Sequence, residues 1–232
     1  VSRATISAYT VAAAVAGGLG AFSGAGTKAV NSAASRTRAS IGAGSVTASG
    51  VVAVTAHDTS SVVAVLPTVS VAIGFVAGAG ADSFTQNTIG SAVEAVIAGG
   101  VTSTAGGVNV VARTDALAHA ETLTIAVGIA LGVSTATVKA VTTIGGSTQA
   151  RLDNGANVTA SAGGVDVSAT STTWASAIMT GGSGVIGVAV TTVNGTATIA
   201  DALLAQVGDG ATKSVMSAAS SNSFPKTGAG NG

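Results

Sequence analysis

Hydrophobic and polar positions alternate along much of this chain. Val165-Asp166-Val167-Ser168-Ala169 and Thr196-Ala197-Thr198-Ile199-Ala200 follow the period of two expected of half-buried strands. β-branched Val, Thr and Ile supply 75 residues, and such side chains pack well on a pleated surface. Gly-Gly, Asn-Gly and Asp-Gly pairs between the runs read as turns. Residues 91–98 and 200–206 also fit a helical pattern locally, but the matching stretch of the middle repeat, 138–149, is rich in Thr and Gly. Equivalent positions share a conformation, so strand is the expectation for all three.

The alternating runs recur. Val46, Val101, Val158 and Val215 occupy one small anchor at spacings of 55, 57 and 57, and Val54, Val110 and Val167 occupy a second at 56 and 57. Two anchors with one period define a repeat. Each unit runs from Val-x-Val-x-Ala through a Ser/Thr/Ala segment and a Gly/Val/Ile run such as Ile125-Ala126-Val127-Gly128-Ile129. A second Thr/Ala segment and a turn, at 153–156 or 208–211, lead back to the first anchor. Residues 11–22 fit the Gly/Val run of a partial first copy, and 41–44 its returning turn.

Repeating strands with tight turns predict an all-β fold, a parallel β-solenoid (β-helix) of about four repeats of 55–57 residues. The solenoid is expected over residues 1–219, in units 1–50, 51–106, 107–163 and 164–219, with 220–232 a linker or tail. Two or three coils per unit would make a rod of roughly 40 to 55 Å at ~4.8 Å per coil.

Composition fits a narrow interior. Ala, Gly, Val, Thr and Ser fill 172 of the 232 positions, with only 8 Leu and 4 Phe, and small residues stack on their own copies without clash. Nine basic and nine acidic residues, with no basic cluster, give nothing to neutralise phosphates and argue against a nucleic-acid partner. Uncharged stretches exceed the ~20 residues of a spanning helix, yet their Ser, Thr, Pro and Gly content argues against a membrane span. Six aromatics cannot form two barrel girdles. Val at position 1 suggests a processed or excised chain.

Candidate chemistry is sparse. His57 lies beside Asp58 and near Ser60 and Ser61, and His119 lies near Asp115 and Glu121. These could suggest a metal or a nucleophile with its base. The place of His57 holds Arg113 and Thr170 in the next units, however, as a solvated face would. Gly24-Ala25-Gly26-Thr27-Lys28 departs from a phosphate loop and is expected to be a solenoid turn. Asp153, Asn154 and Asp209 are expected to cap turns rather than hold Ca²⁺. No catalytic residue, cofactor or metal is assigned, and no enzymatic activity is expected. Trp174, Thr170, Thr172, Thr196 and Thr198 form a candidate contact surface. Phe224-Pro225-Lys226-Thr227-Gly228 is similar to the signal that sortases cleave.

Residues 150–169, including Asp153-Asn154-Gly155-Ala156-Asn157-Val158-Thr159-Ala160, and the preceding Gly128-Ile129-Ala130-Leu131-Gly132-Val133 resemble repeats of large bacterial filamentous surface proteins. These are the leukotoxin-like and filamentous-haemagglutinin-like adhesins, and the resemblance covers about residues 3–218. It implies a right-handed β-helical stalk at the cell surface with no active site. The expected role is a structural repeat giving reach, rigidity and self-association into fibres, with a host or neighbouring-cell glycan or protein as a further partner. The alternative is a flat Thr/Ser face that binds glycan or ice.

Overall fold

The computed structural model describes residues 1–208 apart from 154. Eight strands make up the described chain: β1 (Ser2–Tyr9), β2 (Ala12–Ile41), β3 (Ser45–Ala48), β4 (Val52–Ile97), β5 (Gly100–Ser103), β6 (Val108–Leu152), β7 (Asn157–Ala160) and β8 (Val165–Val207). Every strand pairing is parallel, and no helix occurs among the described residues. The two segments with a local helical pattern are strand, residues 91–97 at the end of β4 and 200–206 in β8.

The register follows the repeat seen in the sequence. Val46 pairs with Val101 and Val101 with Val158 in a small sheet ordered β3-β5-β7. Val54 pairs with Val110 and Val110 with Val167 in the large sheet ordered β1-β4-β6-β8, where β2 also pairs with β4. Each unit therefore forms one tier, hydrogen-bonded to the matching strand of the next unit. This corrects the expectation of two or three coils per unit: the stack of tiers is only about 15–20 Å high at ~4.8 Å spacing.

The chain is accommodated in long strands that fold back on themselves. Within β4, Ser83 Oγ donates to Thr68 Oγ1 at 2.7 Å and Ser91 Oγ to Asp58 Oδ2 at 2.9 Å, two pairs that straddle Phe75. Within β6, Thr114 and Thr148 hydroxyls meet at 2.7 Å, and Ser134 Oγ donates to the Ala126 carbonyl at 2.7 Å. Ser183 and Thr191 do the same in β8. Each long strand is thus an arch of two facing arms, each about 70 Å long at ~3.3 Å per residue.

The arch tips fall where the register slips, between Ile73 and Val76 and between Val127 and Leu131. Glycine is required there. A Cβ on Gly132 would fall on the Ala77 carbonyl oxygen, and Gly187, at φ 147°, would meet the Gly132 carbonyl in the same way. The Gly/Val/Ile runs of the sequence are these tips. By contrast, the expected turn at Gly24-Ala25-Gly26-Thr27-Lys28 is strand inside β2, paired with residues 80–84. With no turn there, the backbone has nothing with which to cradle a phosphate.

Alternation decides what the arms enclose. In β4 the even residues of the first arm, among them Val54, Ala56, Val62, Ala64 and Leu66, face the odd residues Val93, Ala95 and Ile97 of the second. The core is a thin layer between them, in which apolar clusters such as Val62, Ile89 and Ile144 are separated by hydroxyl rows. Small side chains let the arms approach closely, and hydroxyls such as those of Thr68, Ser83 and Thr124 bond across the gap, satisfying groups that burial would otherwise penalise, whereas the buried hydroxyls of Thr37, Thr85 and Thr122 have no hydrogen-bond partner among the described residues. Where the arms are unequal, one side compensates: a Cβ on Gly195 would strike the terminal methyl and sulfur of Met179, which occupies that space from the opposite arm of β8.

Candidate functional site

Period two separates residues that are neighbours in sequence. His57 points outward while Asp58, fully buried, points into the core, so the two cannot converge on a metal or a substrate. Ser60 is turned inward as well, and its Oγ donates to Asp58 Oδ2 at 2.8 Å. Asp58 therefore accepts from Ser60 and from Ser91 across the gap, whereas Oδ1 has no hydrogen-bond partner among the described residues. Its neighbours in the tiers are Ser2 and Thr114. The arrangement is a column of hydroxyls around one carboxyl group, with no imidazole to act as a base.

On the outer face, His57 meets a carboxylate that sequence proximity did not suggest. His57 Nε2 lies 2.8 Å from Asp115 Oδ2, and the Arg113 guanidinium donates to the same carboxylate through Nε and Nη2 at 3.0–3.2 Å. The repeat offset was the available signal: His57 is in register with Arg113, so Asp115 is a diagonal neighbour two residues along the same face. Burial raises the Asp115 pKa, but hydrogen bonds and attraction from Arg113 and His57 outweigh it and hold the carboxyl below its usual value. A second charged row, missed in the sequence for the same reason, places Glu94 between Arg38 at 3.3 Å and Arg151 at 2.6 Å. Both rows join residues of neighbouring tiers, and partly exposed pairs of this kind each contribute at most about 1 kcal/mol.

Thr170, Thr172 and Trp174 alternate along the first arm of β8, and all three are exposed. Trp174 is both exposed (41%) and packed, because its indole stacks on His119 of the tier below with ring centroids 5.7 Å apart. His119 Nε2 lies 3.8 Å from Glu121. Thr196 and Thr198 are exposed on the second arm, in register with Val141 and Thr143. The outer faces of the two arms look in opposite directions, so the five candidate residues are divided between two surfaces. The sortase-like residues Phe224, Pro225, Lys226, Thr227 and Gly228, like Asn154, Asp209 and the fourth anchor Val215, lie outside the described residues.

Among the described residues no three His, Asp or Glu side chains gather as a metal site would require. Asp153 serves as a turn residue: its carbonyl accepts from Ala156 N at 3.0 Å, and its carboxylate is 3.1 Å from Arg151 Nε. A hollow of 240 Å³ beside Asp166, Thr170 and Leu203 is the uncovered end of the core between the arms of β8. No helix among the described residues is long and apolar enough to cross a membrane. An apolar ridge follows the arch tips, where Leu19, Phe22, Phe75, Leu131 and Ile186 are each at least 60% exposed.

No protein-family model matches the chain, and comparison with curated proteins and with solved structures returns no match either.

Proposed function

We propose that this chain is a non-enzymatic structural repeat of an extracellular filament or adhesin stalk at a bacterial surface, and that its tiers are turns of a right-handed β-solenoid built from about four repeats. One observation carries the reading: a parallel ladder joins β4 to β6 from Val52–Val108 to Ile97–Leu152, interrupted only at the arch tip. Cross-linking tiers along so much of their length resists bending and shear, which is what reach and rigidity demand. The residues with chemical character serve the stack, since His57, Asp115, Glu94 and Arg151 bridge tiers. Electron microscopy of the purified chain tests the reading. Straight, uniform filaments with an axial spacing near ~4.8 Å are expected; compact isolated particles at every concentration would overturn self-association.

A second reading rests on the exposed row Thr170, Thr172 and Trp174. An aromatic ring flanked by hydroxyls at alternate positions suits the face of a sugar ring or an ordered water lattice. Glycan binding, or thermal hysteresis, that is lost when Thr170 and Thr172 are replaced by bulky residues would favour it. Thr196 and Thr198, on the other face, are expected to be indifferent to that ligand.

A further inference from the structure

The long strands stacked in the large sheet alternate in the sign of their charge. β1 and β2 carry Arg3, Lys28, Arg36 and Arg38 and no acid, while β4 carries Asp58, Asp82 and Glu94 and no Lys or Arg. β6 has three basic residues (Arg113, Lys139, Arg151) against two acids (Asp115, Glu121), a net +1, and β8 has Asp166 and Asp201 with no Lys or Arg. One end of the stack is therefore basic and the other acidic. Among the described residues β1 and β2 pair only with β4, and β8 only with β6, so each leaves a long row of backbone groups without a strand partner there.

We infer that a second copy of this chain docks head to tail, its β1 and β2 adding in parallel to β8 and continuing the alternation of charge. Three observations converge on this occupant. The first is the charge complementarity of the ends, sharpened because Arg3, Lys28 and Arg36 form no ion pair among the described residues. The second is register. Carrying the existing columns one tier further places Ser2 of the added copy over Ser171, Arg3 over Thr172, and Ser35 and Arg36 over Asp201 and Ala202. The Ser35 hydroxyl, which already bonds Ser91 at 3.1 Å, then lies against the Asp201 carboxylate. The third is apolar matching in the same columns: Tyr9 (72% exposed) falls on Ile178 (49%), and Phe22 (76%) on Val188 (57%). The joint repeats the geometry the chain already uses between β6 and β8, so neither partner has to change shape. Association of this kind is heterologous and does not close, which makes the product a polar filament.

This deepens the self-association part of the proposed function, and the test separates the two. Sedimentation of the full chain is compared at low salt and at about 0.5 M NaCl, where charges are screened within a few ångströms. Two variants reverse the joint from either side: Arg3→Glu with Arg36→Glu, and Thr172→Arg with Ala202→Arg, all at exposed positions. Each variant alone is expected to need roughly tenfold more protein to associate, and an equimolar mixture of the two to recover, because every mixed joint is again complementary. Circular dichroism checks that both remain β-structured. A full chain that stays monomeric at low salt overturns the inference, as does a mixture that fails to recover. Association that ignores the reversals and strengthens with salt also overturns it, and assigns the contact to the apolar arch-tip ridge; filaments formed that way would leave the stalk reading standing.

Discussion

The Ser91 hydroxyl donates to the buried carboxyl of Asp58 at 2.9 Å, joining the two arms of β4 across 33 residues of chain. Few contacts express the fold so directly, because the bond exists only if the strand turns back on itself at Phe75. Replacing Ser91 by Ala leaves Asp58 with Ser60 alone and should cost about 1–3 kcal/mol, the penalty of an under-satisfied buried polar group. Ser61→Ala, on the outer face, should cost less than about 0.5 kcal/mol. Chemical denaturation of the two variants checks the difference, and equal effects would argue against the facing of the arms.

The arch tips predict a contrast between glycines. Gly132→Ala drives a methyl onto the Ala77 carbonyl, so the tiers must separate locally, and a loss of about 2 kcal/mol or more is expected. Gly90 has open space where its Cβ would be, and Gly90→Ala should be neutral or stabilising by about 0.4–1 kcal/mol through the unfolded chain. Thermal unfolding of both proteins provides the comparison.

Across β8, Met179 fills the space left by Gly195. Met179→Ala should lower stability by about 1–2 kcal/mol, less than for a fully buried methionine because Met179 is only partly buried. Gly195→Leu should also destabilise, by overpacking. Combining the two is expected to recover part of both losses, a coupling that a double-mutant cycle measures directly.

Acid sensitivity should centre on Asp115, whose carboxyl is held low by Arg113 and His57. A folded-state pKa below the unfolded value of 3.8 means that the stabilisation is present above about pH 4 and is lost as the pH falls through the lowered folded value. Arg113→Ala should move the Asp115 titration upward and shift the onset of acid destabilisation to higher pH. Carboxyl chemical shifts followed against pH test both; an unchanged Asp115 titration would show that the pair contributes nothing.

The all-β character and the register between equivalent residues of the units were legible in the chain. Period two is a local property of extended backbone, and Val54, Val110 and Val167 stack because equivalent residues of a repeat occupy equivalent places. The same logic rightly read His57, Arg113 and Thr170 as one outward column. What it could not supply was which arm faces which. Ile73-Gly74-Phe75-Val76 reads as more strand, since the backbone stays extended through the tip, and whether it turns there depends on pairings between residues 15 and 33 apart, Ser83 with Thr68 and Ser91 with Asp58. Nothing local specifies such pairings, so one long arch per unit, rather than several short coils, was decided by tertiary packing. The interior place of Asp58, the meeting of His57 with Asp115 and the division of Thr170 and Thr196 between opposite faces follow from that one choice. The sequence by itself determined the period and the alternation, because both reside in neighbouring residues. Only the tertiary structure decided the fold-back, because it depends on where distant residues are brought together.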